Sequence, residues 1–76
     1  MPITDKIKAA MAVSGKENKD LAQYLDITKQ ALSNKFNRGS YSVEDLIKIA
    51  DFTGAILNLE FGDKTKITFS LDDIRQ

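Results

Sequence analysis

Lys29, Gln30, Ser33 and Asn34 are polar residues interleaved with Ala31, Leu32 and Phe36. On a helix that spacing turns the four polar side chains outward and the apolar three inward. Nothing in the set is a nucleophile beside a base, so the chemistry on offer is hydrogen bonding to a polar partner. Gln and Asn amides bond bidentately to adenine N6 and N7, and lysine favours guanine O6 and N7 on the edge that duplex DNA shows in its major groove. A polar outward face is what any soluble helix presents. This one differs in charge: between Asp26 and Glu44 there is no acidic residue, so Lys29, Lys35 and Arg38 stand in a local positive field. Base-edge contacts are therefore expected from Lys29, Gln30, Ser33 and Asn34. Phosphate contacts are expected from Lys19, Thr28, Lys35, Asn37, Arg38 and Ser40.

The totals hide that field. The chain of 76 residues has a formal charge of zero, and its pI of about 6.1 taken alone argues against a nucleic-acid binder. The charges are unevenly placed. Residues 1–42 carry seven basic side chains against four acidic ones, and residues 43–76 carry four against seven. There are no cysteines and no histidines, which removes disulfides, thiolate or imidazole metal sites and every nucleophile–histidine arrangement. Eleven carboxylates could supply an acid–base pair, but a cleft of ~300 Å³ is not expected on so small a domain. Asp72 and Asp73 would make only a weak, oxygen-only metal site. No enzyme, metal or small-molecule cofactor is expected. The opening MPITDKIKAAMAV carries Asp5, Lys6 and Lys8 with no unbroken apolar run, so neither a signal peptide nor a membrane span is expected there. The lack of cysteine fits a reducing, cytoplasmic setting.

Four helices must position these groups. Ile3, Ile7, Ala10 and Met11 recur at helical spacing over residues 4–13, with Thr4 able to cap and Gly15 to terminate. Leu21, Ala22 and Leu25 mark a second helix over residues 18–25, and Ile27 should be buried in the turn. Thr28 is a good N-cap for a third helix reaching about Asn37. Ser42 and Asp45 form a capping box for a fourth, with Val43, Leu46, Ile47 and Ala50 inward and Gly54 as its stop. The period then changes to two: Leu57, Leu59 and Phe61, and Ile67, Phe69 and Leu71, alternate with polar residues, predicting a β-hairpin. If Phe61 faces Ile67 the connection must hold an odd number of residues, three or five; a two-residue turn would set Phe61 opposite Lys66. One domain is expected over 1–76, with a helical part to 54, the hairpin over 55–71 and a frayed tail over 72–76.

Asn18, Leu21, Ala22, Leu25, Asp26, Ile27 and Thr28, followed by Leu32 and Ser33, resemble the helix-turn-helix of the Cro and lambda-repressor-like DNA-binding family, and "SVEDLIKIADFTG" looks like that family's fourth helix. The resemblance spans about residues 3–54. It implies an α+β fold: a four-helix lambda-repressor-like core followed by a two-stranded antiparallel hairpin. It also implies double-stranded DNA as partner and a repressor-like regulator with its third helix in the major groove. In family members the first helix of the motif begins with a Gln that holds a phosphate; Asn18 occupies that place here. Several positions depart from the pattern. Asp26 stands where Gly is usual. Glu17 replaces a capping Thr, so Asn18 either caps the second helix or reaches for phosphate. Phe36 lies four residues beyond Leu32 where three is common. Thr53 replaces Leu, and Phe52 packs under the hairpin or joins a subunit contact.

A monomer with one such helix makes few phosphate contacts, so a homodimer on a palindromic operator is expected. A lone two-stranded sheet leaves edges to be paired, and its subunit contact is expected from Phe52, Ile56, Lys66, Thr68 and Ser70. The alternatives are that the hairpin only completes the core, or that the fold serves as a protein-binding module such as an antitoxin. An exposed apolar groove beside the first helix or the hairpin would favour the latter.

Overall fold

The bend between the second and third helices is built from backbone hydrogen bonds. In the computed structural model, which describes residues 2–74, helix α1 spans Ile3–Ser14, α2 Asn18–Tyr24, α3 Lys29–Arg38 and α4 Val43–Thr53. After α2 the Asp26 N–H donates to the Gln23 carbonyl at 3.1 Å and the Ile27 N–H to the Ala22 carbonyl at 3.0 Å. These two bonds close a Schellman turn, which needs a left-handed residue between them. Asp26 supplies it with φ 58°, a conformation that Asp tolerates better than most residues. Thr28 then accepts from the Ala31 N–H at 3.0 Å and starts α3. Ala22 is buried in the angle, where a larger side chain would push the two helices apart.

The core is Ile7, Met11, Leu21, Ala22, Leu32 and Ile49, with Leu25, Ile27, Phe36, Tyr41, Leu46 and Phe52 packed against it. Two expectations fail here. Val43 is 61% exposed at the start of α4, and Ile49 is buried in its place. Helix α4 is apolar on two sides: Ile49 faces the helical core, while Ile47 lies with Phe69 and Leu71 beside the hairpin. Thr4 is not a cap, since that place falls to Pro2. The buried Thr4 hydroxyl donates to the Phe36 carbonyl at 2.9 Å and lies 2.7 Å from the Tyr41 hydroxyl, binding α1 to the far end of α3. Gly39 closes α3 in the left-handed region with Ile3 Cγ2 3.7 Å from where its Cβ would stand. The capping box of α4 forms as expected, with Ser42 Oγ accepting from the Asp45 N–H and Asp45 Oδ2 from the Ser42 N–H, each at 3.0 Å.

Strands β1 (Leu57–Glu60) and β2 (Lys66–Phe69) pair antiparallel, with Leu57 opposite Phe69 and Leu59 opposite Ile67. The connection has the expected odd length, but Ile67 faces Leu59 instead of Phe61. The Phe61 N–H reaches the Thr65 carbonyl at 2.8 Å, and residues 62–64 close the turn. Its left-handed residue is Lys64, φ 72°, not the glycine. Thr65 N–H donates to Asp63 Oδ1 at 2.9 Å, and that bond holds the Asp63 carboxyl below its ordinary pKa. A 3₁₀ turn, η1 (Leu71–Asp73), follows and packs on α4; of the expected frayed tail, Arg75 and Gln76 lie outside the described residues.

Candidate nucleic-acid interface

Helix α3 stands as a ridge between two clefts. On one flank Asn18, Lys19, Lys29, Leu32, Ser33 and Phe36 line a depression of about 330 Å³. On the other, Ala31, Asn34, Lys35, Arg38 and Ser40 line one of about 260 Å³. Gln30 is exposed, and its Nε2 donates to Asn34 Oδ1 at 3.3 Å, a long contact that a base edge can replace. Lys29, Ser33 and Asn34 are exposed as well. The four expected base readers thus share one solvent-facing side of α3. The N-terminal residues of a helix are the ones that reach base edges when it lies in a groove, and three of these four fall in the first turn and a half.

The expected phosphate ligands divide. Asn18 is the first residue of α2 and not its cap: Glu17 holds the cap position, without a side-chain cap bond. Asn18 and Lys19 are exposed, with Lys19 Nζ 3.4 Å from Glu17 Oε2. Arg38 and Ser40 are exposed beside Asn34. Asn37 is exposed but lines neither cleft. Thr28 is exposed, and its oxygen is engaged as the helix cap. Lys35 is the departure. Its Nζ lies 2.9 Å from Asp45 Oδ2, with 32% of the side chain exposed. Burial opposes the Asp45 charge, but the hydrogen bond from Lys35 and those from Ser42 outweigh it, so the carboxyl sits below its ordinary pKa. Asp45 therefore joins the capping of α4 to the end of α3 and neutralises Lys35. That coupling was invisible in the sequence, where Asp45 reads only as a local cap.

Phe52 is half-buried and packs against the helical core. Its ring stacks on Tyr24 at 5.2 Å between centroids, and the Tyr24 hydroxyl donates to Asp51 Oδ2. Ile56 is 74% exposed. Lys66, Thr68 and Ser70 are exposed too, Lys66 and Thr68 on the polar face of the hairpin with Glu60 and Asn58. The apolar surface lies on the opposite face, where Leu59 and Ile67 are each about half exposed, with Phe61 beside them. An open apolar groove of about 280 Å³ also runs between α1 and α4, with Ile3, Ile7, Leu46, Ile49 and Ile56 among its lining residues. A third cleft, together with the one of about 330 Å³ beside α3, overturns the expectation that no cleft of ~300 Å³ forms on so small a chain. It occupies about 670 Å³ between α1 and α2 and holds two lysines that sequence reasoning passed over, Lys8 and Lys16.

A Schellman-closed bend, a short helix behind it and a projecting polar helix ahead of it define a helix-turn-helix protein. The chain belongs to the bacteriophage CI repressor helix-turn-helix domain family, whose model matches residues 3–66. It is accordingly a DNA-binding regulator by family, and that family is not an enzyme class. No curated protein and no solved structure matches the chain.

Proposed function

We propose that the protein is a sequence-specific, repressor-like regulator that lays α3 in the major groove of duplex DNA and acts as a homodimer on a palindromic operator in the cytoplasm of a phage host. The observation that carries this reading is the acid-free ridge of α3, flanked on both sides by clefts that hold amide, hydroxyl and ammonium groups. An α-helix fills the major groove, and the walls of that groove are two phosphate backbones, one for each flank. Lys29, Gln30, Ser33 and Asn34 read base edges, while Asn18, Lys19, Thr28, Asn37, Arg38 and Ser40 hold phosphates. Lys35 joins them only where phosphate displaces Asp45. The acidic second half of the chain lies beyond α3, and its hairpin carries the subunit contact through the exposed Leu59, Phe61 and Ile67 together with the edge of β2.

Selection from randomised duplex DNA should return a palindrome with half-sites about one helical turn apart. Gln30→Ala should then weaken binding to that duplex by about 1–3 kcal/mol and spare unrelated DNA. Equal losses on both would move Gln30 from base reading to backbone contact, and recovery of no motif would remove the sequence-specific reading. A second reading draws on the apolar groove between α1 and α4: the fold docks a protein partner, as an antitoxin does. It predicts unchanged partner affinity in the Gln30→Ala protein.

A further inference from the structure

We propose that the cleft between α1 and α2 is a second phosphate-binding track, in which Lys8 and Lys16 grip the DNA backbone beyond the reach of α3. The inference rests on the DNA-binding reading above and assigns it two residues that the helix-turn-helix pattern does not contain.

Lys8, Lys16, Asn18 and Lys19 all line this cleft, with Met11 and Ala12 at its floor and Glu17 as its acid. Glu17 is engaged with Lys19 at 3.4 Å. Two positive groups are therefore left over, and both are held in place by aromatic rings. Lys8 Nζ sits 5.6 Å from the centroid of Phe36, and Lys16 Nζ 5.4 Å from that of Phe52, which is itself stacked on Tyr24. A ring attracts an ammonium through its electron-rich face, and it takes none of the N–H groups in a lone-pair hydrogen bond. The lysines are thus steered without being neutralised, the reverse of Lys35 on Asp45. Steering a long side chain in advance lowers the ordering cost of binding.

The track is continuous with the ridge. Asn18 and Lys19 line this cleft and also the one flanking α3, and Phe36, beneath Lys8, lines the latter. A strand whose phosphates meet Lys29 and Asn18 has Lys19, Lys8 and Lys16 next along the surface. An evenly spaced polyanion is the ligand that this row of separate cations suits; a single free anion engages only part of it.

The test measures log K against log salt for the full chain on its selected duplex and on unrelated DNA. Lys8→Gln and Lys16→Gln should each reduce the slope by about 0.9 on both DNAs, and the double variant by about twice that. Lys8→Arg and Lys16→Arg should keep the slope, which separates loss of charge from loss of folding. Glu17→Gln should steepen it or leave it unchanged, and Lys48→Gln on α4, where the ammonium pairs with Glu44 at 3.2 Å, should not alter it. A double Gln variant that melts like the wild type and retains the full slope overturns the track while leaving the function of α3 intact. No binding of any duplex by the wild type overturns both. Saturable capture of inorganic phosphate in this cleft, undisturbed by added duplex, would make it a free-anion site and overturn the proposal.

Discussion

Lys35 and Arg38 carry the same charge less than a turn apart, yet the fold gives them different work. The Lys35 ammonium is spent on Asp45 at 2.9 Å, while Arg38 remains exposed beside Asn34 and Ser40. Counterion release counts only cations that DNA phosphates newly neutralise. Arg38→Ala should therefore lower the salt slope of DNA binding by about 0.9, and Lys35→Ala by clearly less. Salt-titrated fluorescence anisotropy on one duplex measures both. Equal drops would mean that DNA pulls Lys35 off Asp45 on binding. Which basic side chain is free was not readable from the order of residues, because Lys35 and Asp45 belong to different helices. The same holds for Lys8 and Lys16, whose aromatic partners lie 28 and 36 positions along the chain.

The helices themselves were legible because their signals are local. Thr28 and Ser42 cap as their neighbours demand, and the glycines after α1, α3 and α4 take the left-handed geometry that ends a helix. Thr4 and Val43 were misplaced because distant elements decide them: Phe36 and Tyr41 claim Thr4, and the helical core takes Ile49 where Val43 was expected. Asp45 shows how local and distant demands combine. Its carboxyl is held below its unfolded pKa, so the folded state binds fewer protons than the unfolded state. The stabilisation is complete above the ordinary carboxylate value of about 4 and is lost as pH falls through the lower folded value. Asp45→Asn should cost about 1 kcal/mol near neutrality, a drop of roughly 4–8 °C in Tm for a domain of this size, with a smaller further loss in acid. Thermal melts between neutral and strongly acidic pH compare the two proteins. Parallel curves would place the acid sensitivity elsewhere.

At the scale of the molecule, the hairpin extends a body whose dimensions are 41 × 33 × 23 Å and packs chiefly on α4. Its existence and odd-length turn followed from period and register; the exposure of its apolar face beyond the half-buried Leu57 and Phe69 did not. A two-stranded sheet with Leu59, Phe61 and Ile67 half in water is poorly stabilised alone. A second copy covering that face would remove the apolar surface from solvent and place two α3 ridges on one duplex. Sedimentation should accordingly find a concentration-dependent dimer, and a Leu59→Lys, Ile67→Lys double variant should be monomeric with binding reduced to single half-sites. A wild type that stays monomeric at operator-saturating concentrations would return the hairpin to a role in its own core.

The Thr4 hydroxyl has a consequence for the order in which the chain becomes competent. The bend before α3 closes through bonds spanning three and five residues, whereas the tilt of α3 against α1 depends on bonds spanning 32 and 37. Short loops close early and long ones late. A nascent or partly melted chain thus acquires its elbow well before its aim, and a molecule with every helix intact can still fail to engage DNA.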